Sequence, residues 1–244
     1  MSARIALLVL GLVAASSAMA QHEAELEPAN NNVANTPSLQ RGVKYFVNYC
    51  MGCHSAKYVR YNRLAEDLQI TEDQLVQNIM FTGEQPFDTM SIAMKPEDAT
   101  RWFGVAPPDL SLIARSRGTD YIYTFLRSFY ADPSRPTGVD NMVLPGTAMP
   151  HVLWELQGVQ TAKFEADEEH PGQEMFVGFE LERPGTLSPE EYDGVVRDIV
   201  NFLDYVGEPV QLQRQRLGIR VIAFLLVLLL ISYMLKKEIW KDVE

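Results

Sequence analysis

The sequence predicts a mostly α-helical domain followed by one transmembrane helix. Apolar residues recur at helical spacing before residue 50 and again after residue 188. Proline and glycine are concentrated over 131–150, which indicates loops between the helices. Near the C-terminus, the 19 residues 217–235 are apolar or aromatic except for Gly218, Arg220 and Ser232.

Residues 1–20 have the features of a secretory signal peptide. Arg4 precedes the apolar stretch Ile5–Ala15, and Ala18-Met19-Ala20 is a typical cleavage site. The alternative is a membrane anchor, but the apolar stretch is too short to span a bilayer. We therefore expect an exported chain that starts at Gln21, with a flexible, Asn-rich lead-in over 21–36.

Several stretches of the exported part carry local start and stop signals. Helices are predicted over 37–49, from a capping box at Thr71 and Gln74 to about Met80, over 96–103 and over 119–130. Residues 106–108, Ala-Pro-Pro, must form a loop. Residues 163–183 form either a hairpin or an irregular acidic loop.

The clearest helix start is Ser188-Pro189-Glu190-Glu191, with an N-cap serine, a proline at the first position and a glutamate three residues after the cap. Apolar residues follow at helical spacing up to Val206, and Gly207 and Pro209 end the pattern. This helix could cross the one predicted before residue 50.

The apolar run 217–235 has the length of a membrane span. At about 1.5 Å per residue it reaches roughly 28 Å, close to the thickness of the hydrocarbon core. A buried core helix is the alternative, but the run has no polar face. Lys236, Lys237 and Trp240 suit the cytoplasmic interface. We expect a linker over 211–216 and a cytoplasmic tail over 236–244.

The exported part is acidic, since residues 21–216 contain 16 basic and 29 acidic residues, a net charge of −13. This charge excludes nucleic acid as a natural partner and favours a cationic one, although solubility alone would also explain it. The acidic run Glu165–Glu169 is either a solvated loop or a docking surface for a basic partner.

Residues 50–54, Cys-Met-Gly-Cys-His, contain the only two cysteines of the chain. C-x-x-C-H is the attachment signature of c-type haem, in which two thiols on a tight turn bond one porphyrin and the adjacent imidazole binds the iron. A thioredoxin-like redox motif would need a βαβ setting, and a structural zinc site would need two more ligands. The motif therefore predicts one covalently bound haem c on Cys50 and Cys53, with His54 as the proximal ligand.

The residues alone leave the sixth iron ligand open. Met149 has a modest lead, because the neighbouring prolines Pro145 and Pro150 stiffen the loop that holds it. The other candidates are Met90, Met94, Met142, His151 and His170.

With these motifs, nearly all of the mature chain resembles the cytochrome c1 family, the haem subunits of ubiquinol:cytochrome c reductase (bc1) complexes. The resemblance rests on Cys50–Ser55 with Tyr58 and Tyr61–Leu64, Ala106–Ser111, Arg115–Arg117, Asp120-Tyr121, Pro145–Pro150 and the anchor introduced by Arg214–Gly218. The lack of a mitochondrial-type presequence suggests a bacterial member.

The resemblance implies a class I cytochrome c-like haem domain with loop insertions over 37–210. It implies Met149 as the distal iron ligand, Arg117 as a contact of a haem propionate, and Pro108 as part of the pocket wall. A surface arginine in a glycine-containing turn is the alternative for Arg117. The chain departs from the family at His151, where a further proline is usual, and this histidine could compete for the iron.

The implied function is one-electron transfer from a Rieske iron–sulfur protein to a cytochrome c, with cytochrome b as a further partner subunit. The chain is then an electron carrier within an enzyme complex and has no catalytic residues of its own. Its place is the bacterial inner membrane, with one span and the haem domain in the periplasm. Two other classes stay open: an anchored cytochrome c that serves a terminal oxidase, and a haem sensor or catalytic haem protein with an open distal site.

Overall fold

The computed structural model describes residues 25–166 and 174–241, and about half of these residues are helical, as predicted. The predicted signal peptide, 1–20, lies outside them. The helices are α1 (Thr36–Tyr45), α2 (Tyr61–Leu68), α3 (Glu72–Asn78), α4 (Pro96–Phe103), α5 (Ile113–Arg117), α6 (Thr119–Arg127), α7 (Trp154–Gln157), α8 (Pro189–Gly207) and α9 (Gln211–Ile239). The strands pair antiparallel as β1 (Ala56–Arg60) with β2 (Thr89–Met90), β3 (Phe129–Ala131) with β4 (Val139–Asn141), and β5 (Gly158–Ala166) with β6 (Glu174–Pro184).

The core is built around the crossing of α1 and α8, the two helices that were expected to meet. Gly42 on α1 permits the close approach, because a Cβ there would lie 2.1 Å from the carbonyl oxygen of Asp198 on α8. Next to this contact, Phe46 and Phe202 are fully buried with their ring centroids 5.3 Å apart. The crossing therefore anchors the chain immediately before the cysteine motif.

Helix α8 begins as its sequence signals predict. The Ser188 hydroxyl accepts a hydrogen bond from the Glu191 N–H, and the Glu191 carboxylate accepts one from the Ser188 N–H at 2.9 Å. This capping box satisfies the first turn, and Pro189 occupies the first helical position. The helix ends at Gly207, so its predicted bounds are accurate.

The described part of the predicted flexible lead-in, residues 25–35, forms no helix or strand but is held against the domain. The Ala29 N–H donates to the Asp120 carboxylate at 2.8 Å, and the Ala29 carbonyl accepts from Arg197 at 3.0 Å. The Asn32 carbonyl accepts from the Asn201 amide at 2.9 Å. Polar side chains of α6 and α8 thus satisfy this backbone, which the composition of the segment does not reveal.

Several local boundaries differ from the sequence prediction. The helix predicted over 37–49 is α-helical only to Tyr45, and a π-helical turn from Phe46 to Cys50 continues it. Helix α3 has the predicted capping box but ends at Asn78. Helix α6 ends at Arg127 rather than near 130, because strand β3 pairs there with β4. Helix α2 was not predicted, because its N-cap is Arg60 and no side chain caps it. Helix α4 and the loop at 106–108 match their predictions.

The described residues of the stretch 163–183, which are 163–166 and 174–183, lie on two paired antiparallel strands, as the hairpin alternative predicts. Strands β5 and β6 pair from Gly158 opposite Pro184 to Ala166 opposite Glu174. Of the acidic run Glu165–Glu169, Glu165 and Ala166 are described, and both are exposed on β5. Residues 167–169 lie outside the described residues.

Helix α9 is long enough and apolar enough to cross a membrane. Its most apolar 18-residue window has a mean hydropathy of 2.5, and no residue of that window is buried against the domain. The helix includes the predicted span 217–235. It also includes residues 211–216, which are therefore the first turns of the helix and not an irregular linker.

Candidate haem site

The two cysteines and His54 lie on one tight turn that follows the π-helical segment. The Cys50 carbonyl accepts hydrogen bonds from the Cys53 N–H at 3.1 Å and from the His54 N–H at 2.9 Å. Cys50 is buried, whereas Cys53 and His54 are half-buried. The turn therefore brings two thiols and an imidazole to one short stretch of backbone.

Burial raises the pKa of the Cys50 thiol to about 12, with a smaller contribution from Cys53. The reactive cysteine of a C-x-x-C redox motif instead has a lowered pKa, since the thiolate is the nucleophile. No strand–helix–strand unit surrounds the motif in the described chain either. The thioredoxin-like alternative is therefore disfavoured.

His54 is oriented by a loop from another part of the chain. Its Nδ1 lies 2.8 Å from the carbonyl oxygen of Pro108, which can only accept, so Nδ1 carries the proton and the lone pair of Nε2 is left for a ligand bond. Burial lowers the pKa of His54, while the bond to Pro108 and the charge of Asp109 oppose this shift. A neutral imidazole fixed through its other nitrogen is the usual state of a metal-ligating histidine.

The segment Ala106–Ser111 lies alongside residues 54–58 and explains why Pro108 is so placed. Three further hydrogen bonds join the two segments: Leu110 N–H to the Ser55 carbonyl at 2.8 Å, Lys57 N–H to the Asp109 carboxylate at 3.0 Å, and Tyr58 N–H to the Ser111 hydroxyl at 3.1 Å. Pro108 was predicted to form part of the wall of the haem pocket. The structure shows a contribution from its carbonyl, which the sequence did not indicate.

The two arginines of α5 differ in their surroundings. Arg115 donates to Glu208 at 2.6 Å, at the end of α8. Arg117 is exposed and lies over the Tyr121 ring, 5.3 Å from its centroid, and no described carboxylate is within salt-bridge distance. Arg117 is thus exposed and has no described carboxylate partner, and its predicted contact with a haem propionate stays a prediction.

Met149 lies on an irregular loop between two buried neighbours, Thr147 and His151, each 8% exposed. The Met149 side chain is half-buried and packs against the core. Its N–H lies 3.4 Å from the Thr147 hydroxyl oxygen, a weak hydrogen bond. The loop is therefore fixed on both sides of the predicted ligand.

The other candidate ligands are placed differently. Met90 is fully buried on β2 opposite Ala56, and Met142 is half-buried just after β4. Met94 lines a small cavity together with Cys53 and Pro107. His151 is stacked on Phe129, and His170 lies outside the described residues. Met90 and His151 are thus buried or stacked, whereas Met94, Met142 and Met149 are half-buried, and the choice of Met149 as ligand stays a prediction.

The donor set fits a c-type haem. Two thiols and a pre-oriented imidazole share one turn, as covalent haem attachment requires. No group of three or more His, Cys, Asp or Glu side chains that could hold a metal ion occurs in the described ranges. A structural zinc site, which needs four ligands, is therefore not supported.

Comparison with known proteins agrees with this site. A family model described as the Cytochrome C1 family matches residues 30–169 and 185–243, which is most of the chain. The chain belongs to the cytochrome c1 family. Cytochrome c1 of Allochromatium vinosum is 53% identical over 219 residues, which is 90% of each chain.

Two further relatives carry other names. A Nitrosomonas europaea protein named ammonia monooxygenase gamma subunit is 44% identical over 240 residues, 98% of this chain and 97% of that one. The cytochrome b/c1 of Bradyrhizobium diazoefficiens is 27% identical over 253 residues, which is 84% of this chain but 33% of that longer protein.

Membership of the cytochrome c1 family implies a c-type haem as the cofactor and electron transport as the role. It also identifies α9 as the anchor of a membrane-bound, bacterial-type cytochrome c1. The cytochrome c-like fold, the family and the anchor that the sequence predicted are thus confirmed.

Proposed function

We propose that the chain carries single electrons as the haem subunit of a bc1 complex, from a Rieske iron–sulfur protein to a cytochrome c. The observation that carries this proposal is His54, whose Nδ1–H is bonded to the Pro108 carbonyl at 2.8 Å beside two thiols on one turn. Family membership supplies the context. The chain has an electron-carrying role, and quinol oxidation belongs to its partner subunits.

When bound, a single haem c supplies a one-electron Fe(III)/Fe(II) couple. In this proposal Cys50 and Cys53 would hold the haem through thioether bonds, and His54 and Met149 would bind its iron. Arg117 would pair with a propionate, and the Pro108 carbonyl orients His54. A closed pair of axial positions with a thioether favours electron transfer at high potential over ligand binding.

The membrane arrangement follows from the same assignment. The haem domain lies in the periplasm, α9 crosses the inner membrane, and the tail after residue 235 is cytoplasmic. Cytochrome b and the Rieske protein are the proposed companion subunits. The Bradyrhizobium relative supports the first of these, since its printed name joins cytochrome b and c1 in one chain.

The Nitrosomonas relative raises a second candidate function, because a protein so similar along its whole length is named as a subunit of ammonia monooxygenase. Purification of the chain from its membrane in mild detergent distinguishes the candidates. Recovery of cytochrome b and a Rieske protein supports the bc1 assignment. Copurification with monooxygenase subunits would contradict the bc1 assignment and favour a role in the monooxygenase. Copurification with a terminal oxidase would contradict it and favour a role in that oxidase.

A haem sensor or catalytic haem protein is tested on the purified chain itself. A carrier with both axial positions filled does not bind carbon monoxide when reduced at neutral pH. Rapid carbon monoxide binding would indicate an open distal site and would overturn the proposal of Met149 as ligand.

A further inference from the structure

His151, which follows Met149-Pro150, is a buried residue to which the proposed electron transfer assigns no role. His151 is 8% exposed, and its Nε2 is buried without a hydrogen-bond partner in the described structure. A buried polar atom without a hydrogen-bond partner destabilises the fold, so a histidine at this position calls for a structural reason. The contacts of the His151 imidazole indicate this reason.

The imidazole ring is stacked flat on a core aromatic. The ring centroids of His151 and Phe129 are 5.0 Å apart and the planes differ by 7°. Phe129 is 1% exposed and in turn packs edge-to-face against Phe125 at 5.1 Å. Phe129 is a fixed partner, because the Gln160 amide donates to its carbonyl at 2.8 Å.

On its polar side the ring lies near Gln157. Burial lowers the pKa of His151 to about 4, and the Gln157 side chain opposes the shift. The Gln157 amide donates to the Arg127 carbonyl at 3.1 Å, which fixes this neighbour as well.

The other side of the Met149 loop is fixed by backbone hydrogen bonds. The Gly146 N–H donates to the Asp140 carboxylate at 2.7 Å, and the Thr147 N–H donates to the Leu144 carbonyl at 3.2 Å. Among the described residues, the only hydrogen bond of Met149 is the weak one from its N–H to the Thr147 hydroxyl. Its position is therefore set by the anchors before and after it.

We propose that His151 is a positioning residue for Met149, whose stacked ring holds the loop 147–151 so that the thioether stays on the iron. This inference rests on the proposed role of Met149 as the distal ligand. The His151 ring acts through the two peptide bonds that link it to Met149, and it is not a ligand itself.

The test uses the full-length, haem-loaded chain in detergent. Titration of the oxidised protein with imidazole measures how easily the thioether is displaced, through loss of the sulfur-to-iron charge-transfer band in the red. His151→Ala removes the stack and should raise the apparent imidazole affinity by about five- to tenfold. His151→Phe keeps a flat ring on Phe129 and should retain the band with nearly unchanged affinity.

Two further variants separate the possible failures. Phe129→Leu removes the partner ring and should raise the imidazole affinity as His151→Ala does. It replaces His151→Ala in the test if the alanine variant does not fold. Leu75→Ala opens a cavity at a fully buried position on α3 and should lower the melting temperature without changing imidazole affinity.

Unchanged imidazole affinity in both His151→Ala and Phe129→Leu would overturn the proposal. It would equally be overturned if Leu75→Ala raised the affinity as much as they do. Loss of the low-spin spectrum in His151→Phe would identify His151 as the ligand. If Met149→Leu keeps the band, the ligand assignment itself is wrong, a result distinct from the others.

Discussion

The guanidinium of Arg115 lies 2.6 Å from the carboxylate of Glu208, so the last soluble helix is tied to the short helix that also carries Arg117. Arg214, in the first turns of α9, donates to the same carboxylate at 3.0 Å. One acidic side chain thus joins α5, α8 and the membrane helix. Arg117, on the same helix as Arg115, does not take part in this junction.

The different surroundings of the two arginines predict different effects on the haem. Arg117→Gln removes a positive charge near a propionate, which favours the oxidised form. The potential should fall by on the order of 40 mV, equivalent to about 1 kcal/mol for one electron. Arg115→Gln is the matched control and should change the potential much less. A redox titration that shows the reverse order would reassign the propionate contact.

The junction at Glu208 should be sensitive to acid. Hydrogen bonding from Arg214, followed by the charges of Arg214 and Arg115, holds the pKa of Glu208 below its usual value of 4.5. A carboxylate with a lowered pKa stabilises the fold fully above pH 4.5 and loses this contribution as the pH falls through the lowered value.

Limited proteolysis of the detergent-solubilised chain over 208–214 measures this opening. Cleavage should increase as the pH is lowered below about 4.5. Glu208→Gln should already be cleaved faster at neutral pH and should show a weaker pH dependence. Equal cleavage of the two proteins at every pH would show that the ion pairs do not hold the junction.

Gly42→Ala should destabilise the haem domain by about 3 kcal/mol or more, because the added methyl meets backbone of α8 that cannot move aside. Gly194→Ala on α8 is the control, since a Cβ there has nothing within 4 Å. It should leave stability unchanged or raise it by about 0.5–1 kcal/mol. Thermal unfolding measures both, and similar melting temperatures would argue against the close crossing.

Covalent attachment predicts that haem staining survives on a denaturing gel. Replacing both Cys50 and Cys53 by alanine should abolish the stain, because the chain has no other cysteine. Met149→Leu should keep it, since a lost distal ligand leaves the thioethers intact. Persistent stain in the double variant would refute the assignment.

A stop codon after Gln215 should release a soluble haem protein into the periplasm, because it removes all but the first turns of α9. Fractionation of the cells with haem staining measures this. A truncated protein that stays in the membrane without partner subunits would indicate a second anchor, and the residues 1–20 would be the first place to look for it.

Features with a strong local signal could be predicted from the sequence. The α8 capping box, the haem turn and the apolar anchor each depend on neighbouring residues, and each was located within a few positions. Features that depend on distant partners could not. Strand β3 ends α6 early by pairing with β4, and residues 25–35 are ordered by side chains of α6 and α8.

The candidate site divides in the same way. Cys50, Cys53 and His54 follow from their spacing alone. The bond from His54 to Pro108, the difference between Arg115 and Arg117 and the stack of His151 on Phe129 all join residues far apart in sequence. No periodicity or spacing encodes such contacts, because they exist only once the loops are placed.

The crossing of α1 and α8 imposes an order on the maturation of this protein. It brings together α1 and α8, so it cannot form until the chain has been made up to residues near 207. Once formed, it leaves Cys50 buried, with a thiol pKa of about 12 that makes it a poor nucleophile. We therefore expect the thiols to react while the chain is still extended, and a chain folded first without haem to take it up covalently only after denaturation.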